Sequence, residues 1–166
     1  VTQPRRIAAT SLAARVASLL GEDVGERVGY RIGGGKEFHK ETAGKTCIRF
    51  VTTGYLLESL VSGSTLWNHV THILLDEVHE RSLQADMLSL ILKLMIKPPP
   101  EPTAATSDDD ENDDAGDVYR YVATKAHASS YCAQRKLIVM SATIQTAMFK
   151  RYFAPLNDGG DVPSMF

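Results

Sequence analysis

The chain has 166 residues and a mass of 18.2 kDa, the size of one domain. Hydrophobic residues make up 43% of it, enough for a real core, which excludes a chain disordered throughout. The formal net charge of -2 hides an uneven distribution. Eight acids (Glu101, Asp108, Asp109, Asp110, Glu111, Asp113, Asp114, Asp117) crowd residues 98–117, which hold no Lys or Arg, so the remainder sets 18 basic residues against 12 acidic ones, a net of +6.

In chain order, PRRIAATSLAARVASLLG reads as a helix. Pro4 suits its first turn, Ala8, Leu12, Val16, Leu19 and Leu20 recur at helical spacing, and Gly21 is a natural stop. RVGYRI alternates Val28, Tyr30 and Ile32 as a strand does; GGGK (Gly33 to Lys36) breaks the chain; TCIRFVT is a second strand with Ile48 and Phe50 on one face. These two strands are expected to flank a hairpin-like excursion. GYLLESLV is a short helix after Thr53 that ends near Gly63, and HILLDE is an apolar run typical of a strand buried on both faces of a parallel sheet. LQADMLSLILKLMIK is an apolar helix stopped by Pro98, LIVMSAT is a second buried-strand run, and QTAMFKRYF is a closing helix. Strands alternating with helices predict an α/β fold, a parallel sheet flanked by helices.

Residues 98–117 break the pattern. PPPEP and SDDDENDDAGD offer no large apolar anchor, so they are expected to form an acidic, disordered surface insertion, passive or competing for a basic groove. Val118, Tyr119, Tyr121 and Val122 suggest partial order beyond it. Cys47 and Cys132 form neither a CxxC pair nor a disulfide framework and are expected as free thiols in a reducing compartment. No apolar run reaches membrane-spanning length and no signal peptide is visible. The chain opens at Val1 inside a motif, which reads as an excised fragment.

The strongest chemical signal is ILLDEVHERS (Ile73 to Ser82). A buried strand delivers two adjacent carboxylates at its carboxyl end, where open parallel sheets bind ligands. Asp76 is placed to hold Mg²⁺ through a water shell, and Glu77 to orient or deprotonate the water that attacks a γ-phosphate. Without a cation, repulsion between the two would cost stability. DEVHERS resembles the nucleotide-hydrolysis motif of the DEAH-box helicases, a superfamily 2 group with two RecA-like domains. Val78 stands where the group's name has Ala, as in relatives that resemble RNA helicase A. The resemblance implies that Asp76 contacts Mg²⁺, Glu77 activates water, and His79 links hydrolysis to strand movement.

Three further segments follow in the family's order. TQPRRIAA (Thr2 to Ala9) is similar to motif Ia: Thr2, Gln3, Arg5 and Arg6 gather hydroxyl, amide and guanidinium groups at a helix start, suited to phosphate oxygens, although one arginine has the alternative of an internal ion pair. FVTTGYLLESL is similar to motif Ib, which implies that Thr52, Thr53 and Gly54 approach a sugar-phosphate chain; an ordinary threonine-capped turn is the plainer alternative. SAT (Ser141 to Thr143) is similar to motif III, which couples hydrolysis to nucleic-acid movement. Its distance from Asp76 is long for the family, and the Pro/Asp insertion accounts for that.

The resemblance covers the first RecA-like domain, with its first strand and phosphate loop expected upstream of residue 1. Residues 1–166 are then a partial ATP-binding domain that carries the 98–117 insertion. Gly44, Lys45 and Thr46 spell the end of a P-loop, but His39 stands where its first Gly belongs and a strand follows in place of a helix, so that reading is rejected. His69 and His72 lack a third metal donor, and Trp67 is more economically a core anchor than a base-stacking platform. The implied function is an ATP-dependent RNA helicase, using ATP and Mg²⁺, with RNA and the second RecA-like domain of the same chain as partners, no membrane, and a nuclear or cytoplasmic setting. Protein cofactors stay open. A fragment without the phosphate loop and the second domain is expected to be inactive alone. The alternatives are a non-catalytic RecA-like scaffold and a DNA helicase with the same motor.

Overall fold

A computed structural model describes residues 1–35, 38–63, 69–96, 135–143, 146–157 and 162–163. Lys36, Trp67, the 98–117 insertion, residues 118–134 and Cys132 lie outside that set. The elements are β1 (Thr2–Gln3), α1 (Arg6–Leu19), β2 (Val28–Arg31), β3 (His39–Lys40), β4 (Ile48–Thr52), α2 (Thr53–Val61), β5 (His72–Leu75), α3 (Leu83–Ile96), β6 (Lys136–Val139) and α4 (Thr146–Phe153).

Among the described residues six strands form one sheet in the order β3-β2-β4-β1-β5-β6. Every neighbouring pair is parallel except β2 with β3. The predicted alternation of strands and helices is therefore realised. The excursion between these two strands is a hairpin of β3 on the outer edge of β2, while β2 and β4 themselves run parallel in register (Val28 beside Ile48). That leaves β3 holding the excursion between β2 and β4 in place. The carboxylate of Glu41 accepts hydrogen bonds from both Arg31 and Arg49, and Arg31 also donates to the Tyr55 hydroxyl at 3.2 Å. Burial, and the Arg31 charge beside it, push the Arg49 guanidinium below its usual value.

By its contacts the chain divides into two compact units. The first is Val1–Leu88 with Lys136–Ile144, and the second is Ser89–Arg135 with Gln145–Phe166. All six strands lie in the first. Phe50 and Val51 of β4 are both buried, and successive strand residues point to opposite faces, so the sheet is covered on both sides there. In the second unit Phe153 of α4 is buried, and the Lys93 ammonium sits 4.2 Å from the centre of the Tyr152 ring.

Three expectations need correction. Helix α1 does not bury its leucines. Ala9, Ala13 and Ala17 pack with Val28, Ile32 and Phe50, while Leu19 is 69% exposed and Leu12 and Leu20 are partly exposed. Small side chains let the helix lie close on the sheet, and that closeness selects the alanine face over the leucine face. Pro4 precedes the helix, because Arg5 is its extended N-cap. Strand β6 is not buried on both faces: it closes the sheet order, and Ile138 is 43% exposed.

Candidate functional site

Parallel pairing brings the carboxyl ends of β1, β4, β5 and β6 to one edge of the sheet. Gln3, Thr52 and Thr53, Asp76 and Glu77, and the segment from Met140 to Thr143 all follow from those ends. Four stretches far apart in sequence thus meet along one rim. A cavity of about 310 Å³ lies at the opposite ends of the same strands, lined among others by Val1, Ile48, Arg49, His69 and His72. It has no part in the rim, and among the described residues no group of three His, Cys, Asp or Glu side chains could hold a metal.

Asp76 is half-buried and held from three directions. Gln3 Nε2 donates to its Oδ2 at 2.7 Å, the Glu77 N–H donates to its Oδ1 at 2.9 Å, and its own N–H donates to Thr2 Oγ1 at 3.3 Å. Gln3 is 3% exposed and Thr2 is 2% exposed. Thr2 and Gln3, the residues expected to meet nucleic acid, are both buried beside Asp76. Both are turned inward, Gln3 onto the carboxylate and Thr2 onto the Asp76 backbone N–H.

Glu77 follows with φ 56° and ψ 32°, in the left-handed region. A 3-10 turn over Val78–Glu80 comes next, and Arg81 leaves it with φ 49°. A left-handed conformation costs a residue with a Cβ roughly 1–2 kcal/mol, and such positions concentrate where function over-determines the backbone. Two of them bracket the turn, among the described residues the only non-glycine ones. The turn is pinned by Val78, 5% exposed, whose N–H reaches the Met140 carbonyl at 3.3 Å. His79 Nδ1 lies 3.3 Å from Glu77 Oε2, close enough for an ion pair but not aligned as a hydrogen bond. His79 thus faces its own motif from a half-buried place, not the core.

The two arginines of the first motif are exposed. Arg5 reaches Glu80 at 3.8 Å, and Arg6 lies 5.8 Å from the centre of the Phe38 ring. The internal ion pair left open for one arginine is thus a loose surface contact of Arg5. Thr52 is the N-cap of α2 but makes no side-chain capping bond, so the plain threonine-cap alternative does not describe it. Thr53 Oγ1 instead donates to the Gln3 carbonyl at 3.3 Å. Gly54 leaves room for the Gln84 side chain, whose Oε1 is 3.0 Å from where a Cβ would stand. Ser141 and Thr143 are exposed and bond to each other: Ser141 Oγ donates to the Thr143 carbonyl at 2.7 Å. Their tie to the Asp76 motif runs through the backbone, where the Met140 N–H donates to the Leu75 carbonyl at 2.7 Å.

The sequence reading missed Arg81 and Asp86, which form a two-pronged pair with Nε–Oδ1 and Nη2–Oδ2 both at 2.9 Å. It also missed the cap of α3, where Ser82 Oγ accepts from the Ala85 N–H at 3.2 Å. A Ser just before an apolar helical run was the available signal for that cap. The rejected P-loop triplet is a turn over residues 43–45. Thr46 Oγ1 there donates to the Glu26 carbonyl at 2.7 Å, and β4 follows.

A parallel sheet with helices, and an apolar strand that ends in adjacent carboxylates at its carboxyl edge, define a RecA-like α/β unit. A scan against protein-family models finds no match. The chain is 36% identical over 153 residues to the probable ATP-dependent RNA helicase spindle-E of Culex quinquefasciatus, covering 92% of this chain and 8% of that protein. It is 34% identical over 164 residues to the DExH-box ATP-dependent RNA helicase DExH1 of Arabidopsis thaliana, covering 99% of this chain and 12% of that one. Among solved structures, the Escherichia coli DEAH/RHA helicase HrpB superposes with a TM-score of 0.56 at 27% identity, over 90% of this chain and 14% of that one. In sequence and fold the chain is a relative of the DExH-box RNA helicases, and it spans about a tenth of the length of the two curated relatives.

Proposed function

We propose that the chain is part of the ATP-binding motor domain of an ATP-dependent RNA helicase, with Asp76 and Glu77 as its hydrolytic carboxylates. One observation carries this reading: Asp76 stands at the end of β5 with both carboxylate oxygens already oriented, by Gln3 and by the Glu77 N–H. Each oxygen keeps a lone pair for a further donor or a hydrated cation. Among the described residues no Lys or Arg forms an ion pair with it. That donor set suits Mg²⁺, which keeps its waters and binds through one or two carboxylates plus phosphate oxygens. Bound there, the ion would neutralise charge on the phosphates of ATP. Glu77 follows on a left-handed backbone that turns it away from the strand direction, and it is the group proposed to accept a proton from the attacking water.

RNA is the proposed polymer. Helices α1 and α2 begin on neighbouring strands, Gln3 beside Thr52. Neither has a side-chain cap or an acid in its first turn. Such helix starts offer free N–H donors and a positive dipole end to phosphates, and the exposed Arg5 and Arg6 flank one of them. Phosphate contacts of this kind grip without reading bases. The second RecA-like domain of the same protein is the proposed partner for completing the ATP site, so residues 1–166 alone are expected to show no ATPase activity. The proposed setting is nuclear or cytoplasmic; among the described residues no helix is long and apolar enough to cross a membrane.

The test is Glu77→Gln in the full-length protein. RNA-stimulated ATP hydrolysis is expected to fall by about 10²–10⁴-fold with nucleotide binding retained. Hydrolysis at the normal rate removes Glu77 from the mechanism. Stimulation by DNA in place of RNA points to a DNA translocase, and no Asp76-dependent turnover at all points to a scaffold.

A further inference from the structure

Gln3 is the group whose observed contacts depart furthest from the sequence expectation. It sits in β1 between β4 and β5, opposite Thr52, at the last residue before the rim. A side chain 3% exposed has little access to a polymer lying on the surface, and a buried amide must find a protein partner. Its partner is Asp76 Oδ2 at 2.7 Å, a short bond from a neutral donor to an ionised acceptor, of the stronger kind. Its backbone carbonyl is engaged from the other side by Thr53 Oγ1 at 3.3 Å. One residue therefore touches the carboxylate of β5 through its side chain and the first residue of α2 through its backbone. The second carboxylate oxygen is fixed separately by the Glu77 N–H at 2.9 Å. With Gln3 removed, the carboxylate keeps only that local bond, made by its own neighbour, and is free to turn about it.

We infer that Gln3 is a positioning residue for the metal-holding carboxylate: its buried amide sets the orientation of Asp76 and joins it to the Thr53 helix start, and it makes no contact with RNA. This rests on the hydrolytic reading of Asp76. Groups that orient a metal ligand from behind change metal affinity by about 10–100-fold when removed, and a ligand acting through a water shell stands at the lower end.

The test uses the full-length protein with Gln3→Met, which keeps the volume and removes the donor, and Gln3→Asn, which keeps the amide one methylene too short to reach. Mn²⁺ binding in the presence of a non-hydrolysable ATP analogue is read by electron paramagnetic resonance, Mg²⁺ dependence by ATPase titration, and RNA affinity by fluorescence anisotropy. Both variants are expected to weaken Mn²⁺ binding, Gln3→Met by about 10-fold and Gln3→Asn by less. The Mg²⁺ needed for half-maximal turnover is expected to rise by a similar factor, excess Mg²⁺ to restore most of kcat, and RNA affinity to stay within twofold. Unchanged Mn²⁺ affinity in both variants, with RNA affinity lowered, overturns the inference and returns Gln3 to the RNA contact. If the unaltered protein shows no Asp76-dependent Mn²⁺ binding, the hydrolytic reading fails first, and this inference with it.

Discussion

Helices α1 and α2 begin bare, whereas α3 begins sealed. The first two have no side-chain cap and no acid in their first turns. Helix α3 has Ser82 bonded to the Ala85 N–H, Asp86 in its first turn, and Arg81 locked onto Asp86. A bare start costs stability, because four backbone donors go without intrahelical partners. A sealed start gains it, by about 1 kcal/mol for a serine cap. The two bare starts adjoin on neighbouring strands, and the sealed one follows the strained turn of Glu77 to Arg81. Donors stay available where a phosphate chain is proposed to lie, and the cap directly follows the turn that carries the carboxylate proposed for hydrolysis.

The sharpest way to break this contrast is charge reversal beside a bare start. Arg5→Glu with Arg6→Glu in the full-length protein is expected to weaken RNA binding at least 10-fold at low salt. It should also flatten the plot of log affinity against log salt by roughly 1.4, for two lost phosphate contacts to a single strand. Anisotropy across a salt series checks it, and an unchanged slope would show that neither arginine meets phosphate. Next in size is the alanine face of α1. Ala13→Leu, at a position with no exposed surface, is expected to cost about 1–3 kcal/mol in urea unfolding. Ser82→Ala should cost about 1 kcal/mol and leave RNA affinity alone, which separates the sealed start from the bare ones. Smallest is Leu19→Ser, at a residue 69% exposed, where the change is expected within ±0.5 kcal/mol. A loss well above that would mean the leucine face of α1 is covered in the protein.

The site was legible in outline because its chemistry is contiguous. Asp76 and Glu77 stand together behind an apolar strand, so their position marks them as a pair, and the resemblance of DEVHERS to a known motif adds His79. Thr2 and Gln3 were legible as members of a motif but not in what they bond to. Nothing in TQPRR indicates that the glutamine turns inward to a carboxylate 73 residues away. Nor does TTG reveal that Thr53 donates to the Gln3 carbonyl while Thr52 caps nothing. Helix α1 shows the same limit. Its leucine periodicity and its alanine periodicity coexist on one cylinder, and the sequence prefers the larger side chains.

The amino-acid sequence by itself determined the type and order of the longer elements, though not the two-residue strands β1 and β3, and the placing of two acids at a strand end. Local periodicity, strand formers and turn residues act within a few positions of one another. Only the tertiary structure decided that the alanines of α1 face the sheet, that β6 lies half-open at its edge, and that Gln3 donates to Asp76. Those outcomes depend on which distant segment comes to lie within a few ångströms, and parallel pairing across 73 positions carries no local signature.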